Sequence, residues 1–153
     1  GAALWALVNH TGVLDRNSSY LYLLVATHFA GTSIVAELDG QVVGFISAYR
    51  VPDEPRALFV WQVAVHSDAR GRGIATRMLL GLLDRPANAG IDRVHTTVTR
   101  DNEASRAMFA GFARRLDTSI TEQPFIECRH FPGDAPHDDE PLLIIGPFST
   151  DRT

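Results

Sequence analysis

The sequence predicts an α/β fold in which a mixed, mostly antiparallel central sheet carries helices on both faces. Three observations predict it. Asp39-Gly40 separates two strand-like runs, 33–38 and 41–50, and Asp-Gly between such runs is a strong local hairpin signal. A nearly continuous apolar run from Ala57 to His66, as expected for a strand covered on both faces, passes directly into a small, basic loop and then an amphipathic stretch. A β-branched run from Ile91 to Thr99 is followed by a helix-capping triplet, and a late apolar run, Pro141 to Gly146, closes the alternation.

Taken in order, residues 2 to about 9 are apolar and helix-compatible. Asn17, Ser18 and Ser19 supply N-cap chemistry for a second helix over 20–29, which Gly31 ends. Pro52 to Pro55 reads as a loop before the strand 57–66. A helix is expected from Gly73 to about Arg85, stopped near Pro86, and another from the caps Asp101, Asn102 and Glu103 to about Gly111. The stretch from Asp117 to Glu140, rich in Pro, Asp and His, is expected to be irregular. With no internal repeat or low-complexity tract, residues 1–153 are expected to form one domain.

Composition narrows the function. The chain is 45% hydrophobic and 21% charged, with a formal net charge of -4, which argues against broad nucleic-acid binding. No apolar run approaches the ~20 residues needed to cross a bilayer, and the first residues do not read as a secretory signal. Every basic residue other than histidine is arginine, so Schiff-base chemistry and a lysine general base are excluded. The single cysteine, Cys128, excludes an internal disulfide framework and fits a reducing cytosol. It stands beside Arg129 and His130; a structural role is expected for it before a catalytic one.

The segment with the clearest chemistry is Val63 to Leu80. Gly71 and Gly73 bare the backbone amides, Arg70 and Arg72 add positive charge, and the following helix points its positive end at the loop, a combination suited to a phosphate anion. Three glycines in dinucleotide-loop spacing are missing. The pattern Arg70-x-x-Gly73-x-Ala75 resembles the pyrophosphate loop of the GNAT superfamily of acetyl-CoA-dependent N-acyltransferases. The order of elements is also the GNAT order, with the first strand expected to be missing at the N-terminus.

Longer motifs narrow the resemblance. The stretches 14–24, 27–29, 44–49 and 58–66 are similar to the diaminobutyrate acetyltransferase family of ectoine biosynthesis, and the similarity runs from about Leu4 to Ile145. That resemblance implies transfer of acetyl from acetyl-CoA to the 4-amino group of L-2,4-diaminobutyrate by a cytoplasmic, metal-free homodimer. It implies a sheet splayed at the strand 57–66, with the Val63 amide facing the thioester carbonyl and the Val65 amide facing pantetheine. Residues Val63, Ala64, Val65, Arg70, Gly71, Arg72, Gly73, Ile74 and Ala75 then form the cofactor site. Asn102 matches an asparagine that contacts pantetheine, and a plain N-cap role is equally open to it.

Asp15, Tyr20, Trp61, His137 and Glu140 match positions that line the acceptor pocket of the resembling family. Their chemistry suits a small zwitterion with an additional ammonium: Asp15 and Glu140 are anions, Trp61 offers an aromatic face, and Tyr20 and His137 can orient a carboxylate or relay a proton. Other readings stay open for them, a solvated turn for Asp15, core for Trp61 and a solvated acidic loop for His137 and Glu140. Two departures from the superfamily stand out. Phe109 occupies the position of a tyrosine that protonates the leaving thiolate, and Phe59 that of a glutamate base. The expected proton acceptor is Glu140, assisted by His137 or a bridging water, with Tyr20 a further catalytic candidate as a proton relay. A GNAT acting on another diamino acid or a polyamine is the alternative enzyme, and an acyl-CoA-binding sensor without activity is the alternative class.

Overall fold

The computed structural model describes residues 1–11, 17–132 and 137–151. Two helices come first, α1 (Ala2–Thr11) and α2 (Ser19–His28), the latter capped by the Ser18 hydroxyl, which accepts from the Leu21 N–H at 3.4 Å. Strands β1 (Ile34–Leu38) and β2 (Gln41–Val51) follow as the expected hairpin, with Leu38 paired to Gln41 across the Asp39-Gly40 turn. Then come β3 (Glu54–Val65), α3 (Ile74–Leu83), β4 (Arg93–Thr97), α4 (Glu103–Arg115), β5 (Ile120–Ile126) and β6 (Glu140–Ile145). They make one six-stranded sheet in the order β1-β2-β3-β4-β6-β5, antiparallel except between β3 and β4.

The helices divide between the two faces. Leu79, Leu82 and Leu83 of α3 and Phe109, Phe112 and Ala113 of α4 pack with Ile46, Leu58, Val60, Val94, Leu143 and Ile145 in the larger core. On the other face Leu4, Leu7 and Val8 of α1 and Tyr22 of α2 enclose Phe45 and Ala64.

Several boundaries differ from expectation. Residues 117–140 are not wholly irregular: Ile120 to Ile126 form β5. Pro124 and the polar run around it conceal the strand, and both are tolerated because β5 is an edge strand whose register shifts between Gln123 and Ile126. The proposed loop 52–55 contracts to a turn at Pro52-Asp53, so β3 begins at Glu54. Gly111 does not stop α4, which runs on to Arg115 because Phe112 and Ala113 are buried. The strand read over 91–99 is confined to 93–97.

That shortening matters for function. The β3–β4 pairing covers only Ala57–Arg93, Leu58–Val94 and Phe59–His95, although β3 continues to Val65. Its paired end is pinned by Asp92, whose N–H donates to the Arg56 carbonyl at 3.0 Å and whose carboxylate accepts from Arg56 at 2.7 Å and Arg93 at 3.0 Å. Beyond Phe59 the two parallel strands part, and α3 and α4 both start beyond the open end. The sheet is splayed at β3, as the family resemblance implies.

Candidate active site

The geometry begins with the direction of backbone groups along β3. The His66 N–H donates to the Val43 carbonyl at 2.8 Å, so His66 points toward β2. Alternation along an antiparallel ladder then turns Ala64 toward β2, and Val63 and Val65 away from it, into the gap facing β4. Two N–H groups thus line the splayed side of the strand.

After β3 the chain makes a short 3₁₀ turn, Ser67–Ala69, fixed at its start by His66. The His66 Nδ1 accepts from the Asp68 N–H at 3.3 Å, and its ring stacks on His10 of α1 with centroids 4.4 Å apart. Arg70 then folds back, its Nε donating to the Val65 carbonyl at 3.2 Å. Gly71 and Gly73 adopt φ of +74° and +69°, values that favour glycine, and a Cβ on either would meet nothing within 4 Å. Their requirement is therefore conformational, and the space above them is open to a ligand.

Gly73 is the N-cap of α3 and offers no side-chain cap. The Arg77 N–H bonds the Gly73 carbonyl at 3.0 Å, which leaves the preceding N–H groups of Ile74, Ala75 and Thr76 without intrahelical acceptors. Three amides, a helix dipole and the exposed Arg70 and Arg72 converge on one loop. This donor set fits a pyrophosphate. Asn102 caps the neighbouring α4, its Oδ1 accepting from the Ser105 N–H at 3.1 Å, so the N-cap role is realised; no described residue accepts from its Nδ2.

The residues expected on the acceptor side come from farther apart. Trp61 is the bulged residue of β3: the register passes from Ser47–Gln62 to Ala48–Val60 and skips it. It is 42% exposed and, with Leu21, Leu24, Val25, Phe29, Ser47 and Tyr49, lines a cavity of about 350 Å³ between α2 and the sheet. Tyr20, at the start of α2, is 66% exposed. Glu140 opens β6 opposite Ile126. Carried two residues past Thr97, and allowing for the bulged Trp61, the β3–β4 and β4–β6 registers bring Glu140 to about the level of Val63 and Ala64, across the gap. Alternation also places Glu140 on the α1–α2 face of the sheet, since Leu143 and Ile145 belong to the opposite core.

His137 is exposed and stacks on Phe131, with centroids 4.2 Å apart, close in sequence to Glu140. Asp15 lies outside the described residues. Among the described residues no hydrogen bond, ion pair or ring contact joins Tyr20, Trp61, His137 and Glu140 to one another. Cys128 is exposed, and its N–H donates to Asp139 Oδ1 at 2.8 Å, which ties the end of β5 to the approach to β6.

The two departures have structural reasons. Phe109 is 2% exposed in the core beneath α4, so its position is given to packing. Phe59 stacks on Tyr49, with centroids 5.2 Å apart, at the last β3–β4 pair before the splay. Its partner His95 is buried with no hydrogen bond to Nε2, although Glu54 lies 3.8 Å away. Burial holds the His95 pKa below its ordinary value, with Arg93 acting the same way against an opposing pull from Glu54.

Sequence reasoning passed over Ser47, Gln62 and Tyr49. The signal for Gln62 was available, because it is the one polar residue between Leu58 and Val65. Ser47 and Tyr49 carried none, since their side of the strand becomes a cavity wall only once α2 is placed.

Comparison with known proteins bears on this geometry. Residues 4–112 match the acetyltransferase (GNAT) family. The chain is 46% identical over 149 residues to an L-2,4-diaminobutyric acid acetyltransferase of Methylotuvimicrobium alcaliphilum, covering 97% of this chain and 86% of that protein. A protein of the same name from Bordetella parapertussis is 49% identical over 150 residues, covering 97% and 80%. Among solved structures, the diaminobutyrate acetyltransferase EctA of Paenibacillus lautus, in complex with its substrate L-2,4-diaminobutyric acid and coenzyme A, superposes with a TM-score of 0.92. It is 44% identical, with 99% of this chain and 92% of that one covered.

Proposed function

The chain belongs to the acetyltransferase (GNAT) family and, within it, to the L-2,4-diaminobutyric acid acetyltransferases, and on that premise we propose the reaction of this cleft and its residues' roles. The protein transfers acetyl from acetyl-CoA to the 4-amino group of L-2,4-diaminobutyrate, the step that supplies N4-acetyl-L-2,4-diaminobutyrate for ectoine formation. The observation that carries this reading is the splay of β3 from β4 beside a glycine loop with free helix amides. The cavity walled by Trp61, between α2 and the sheet, and the Glu140 carboxylate at the start of β6 support the acceptor side of the reading.

Acetyl-CoA supplies the acetyl group as a thioester, whose C–S bond breaks as the amine nitrogen bonds the carbonyl carbon. The chain's own groups act around that exchange. The N–H groups of Ile74, Ala75 and Thr76, with Arg70 and Arg72, hold the pyrophosphate, and the Val65 N–H and Asn102 hold the pantetheine arm. The Val63 N–H donates to the oxygen on which negative charge develops. Trp61 presents its ring to the amino acid's cationic end, Asp15 and Glu140 bind ammonium, and Tyr20 and His137 orient the carboxylate. Glu140, assisted by His137 or Tyr20, accepts the proton of the attacking amine. With Phe59 and Phe109 in the familiar base and acid positions, the thiolate leaves as an anion and takes its proton from water.

Both substrates bind before the amine attacks directly, so CoA release requires the amine, and an acyl-CoA sensor is disfavoured. Exposed Leu23 of α2 and Phe29 just after it provide apolar surface for the homodimer that the family resemblance implies. A cytoplasmic site of action follows from the same reading; among the described residues no helix is long and apolar enough to cross a membrane. The deciding experiment is incubation with acetyl-CoA and diaminobutyrate, followed by NMR location of the acetyl group. Acetyl on N4 is expected. Faster turnover of ornithine, lysine or a polyamine would replace the substrate.

A further inference from the structure

Between Val60 and Val65 the catalytic strand carries one polar side chain, Gln62, and it is buried. Directly opposite stands Ser47 of β2, also buried, on the face beneath α2. Tyr22 of α2, wholly enclosed against Phe45, completes the group, and Gln62 Nε2 donates to its hydroxyl at 3.5 Å. The Ser47 hydroxyl and the Gln62 carbonyl oxygen have no partner among the described residues.

Unpaired polar atoms in a buried layer cost stability, and an apolar pair would serve the fold better. Their location supplies the reason for keeping them. Ser47–Gln62 is the pair at which the register shifts and Trp61 bulges, and Ser47 also forms part of the cavity that Trp61 walls. Gln62 sits between Trp61, which faces the acceptor, and Val63, whose N–H enters the gap. A bond from Gln62 to α2 therefore fixes the roll of the strand at that step. It also fixes β3 relative to the helix that begins with Tyr20.

We infer that Gln62, with Tyr22 and Ser47, is a positioning residue. It holds the Trp61 bulge so that the acceptor amine and the Val63 N–H meet the same carbonyl. The inference rests on the acceptor side assigned above and adds to it the groups that hold that side in place.

Three variants test it. Gln62→Leu removes both polar atoms at nearly constant size, Tyr22→Phe removes only the hydroxyl, and the double variant combines them. Wild type is first assayed against diaminobutyrate and other diamino acids, and the amine it turns over fastest is used throughout. A wrong substrate then counts against the preceding section alone. The expected result for Gln62→Leu is a CoA dissociation constant by calorimetry within about twofold of wild type and a kcat/KM for the amine lowered at least about tenfold, since small misplacements at a reacting centre are magnified. The melting temperature stays undiminished in the double variant, which leaves no Tyr22 hydroxyl unpaired. Tyr22→Phe should lose less in the same parameter, and the double variant should be no worse than Gln62→Leu alone, the mark of one shared interaction. Unchanged amine kcat/KM in Gln62→Leu overturns the inference. So does a loss spread equally over CoA binding, amine kinetics and melting temperature. Should Gln62→Leu not fold, Tyr22→Phe decides by the same criteria.

Discussion

The two sides of the cleft are built in different ways. From Val63 to Ala75 the cofactor side is one unbroken stretch of chain, and its working parts are backbone N–H groups aimed by a strand, two left-handed glycines and a helix start. On the proposed acceptor side Tyr20, Trp61, His137 and Glu140 come from α2, β3, the approach to β6 and the start of β6, and their working parts would be side chains. A backbone site tolerates most substitutions and fails where the chain's path is disturbed. A side-chain site fails residue by residue, and can be retuned for another amine without touching the fold.

That contrast can be broken or sharpened by substitution. The largest effect is expected at Glu140, where Glu140→Gln should lower kcat by about 10²–10⁴-fold with little change in the KM for acetyl-CoA. Wild-type kcat/KM across pH in that variant would remove Glu140 as proton acceptor. Next comes Gly73→Val, which forces a branched side chain to φ near +69° and should raise the acetyl-CoA KM by roughly 10–100-fold while sparing the amine. If amine kinetics fell with it, the two sides would not be independent. Trp61→Leu should do the converse, raising the amine KM by about 3–30-fold at constant acetyl-CoA KM.

A smaller effect concerns stability. Burial acts against the Asp92 charge, but the bonds from Arg93 and Arg56 prevail and hold its carboxyl below the usual carboxylate range, while burial lowers His95. Both groups therefore stabilise the fold fully above their unfolded pKa values. His95 withdraws its contribution as pH falls from about 6.5, and Asp92 as it falls below about 3.9. Melting temperatures should decline in two stages on acidification, and His95→Gln should flatten the first. The smallest effect is at Cys128: Cys128→Ala should keep kcat within about twofold, because direct attack by the amine needs no thiol. A burst of CoA without amine would point to a covalent intermediate instead.

The same contrast explains what could be read from the chain alone. The phosphate loop was legible because its glycines, arginines and helix start are contiguous, and the β1–β2 hairpin because Asp39-Gly40 writes its turn locally. The β5 strand was not, because an edge strand with Pro124 owes its form to β6 and not to its own alternation. Trp61 and Glu140 were singled out through a family likeness, and only the placed strands put one on a cavity beneath α2 and the other across the gap from β3. Ser47 and Tyr49 needed α2 in place before they could be seen as a wall.

The parting of β3 from β4 after Phe59–His95 also has a consequence for how the sheet coheres. Three residue pairs and the Asp92 clasp join a β1-β2-β3 leaf to a β4-β6-β5 leaf. On the proposed reading, acetyl-CoA with its thioester carbonyl on the Val63 N–H and its pantetheine on the Val65 N–H would serve the sheet as a strand does, stitching the leaves together above their hinge. The substrate is then a structural member of the enzyme while it is bound. Rigidity would follow its concentration by mass action, and amide exchange should slow at Val65 when CoA is added and at Val63 only when the acetyl thioester is present, while Ala64, already bonded to β2, stays as it was.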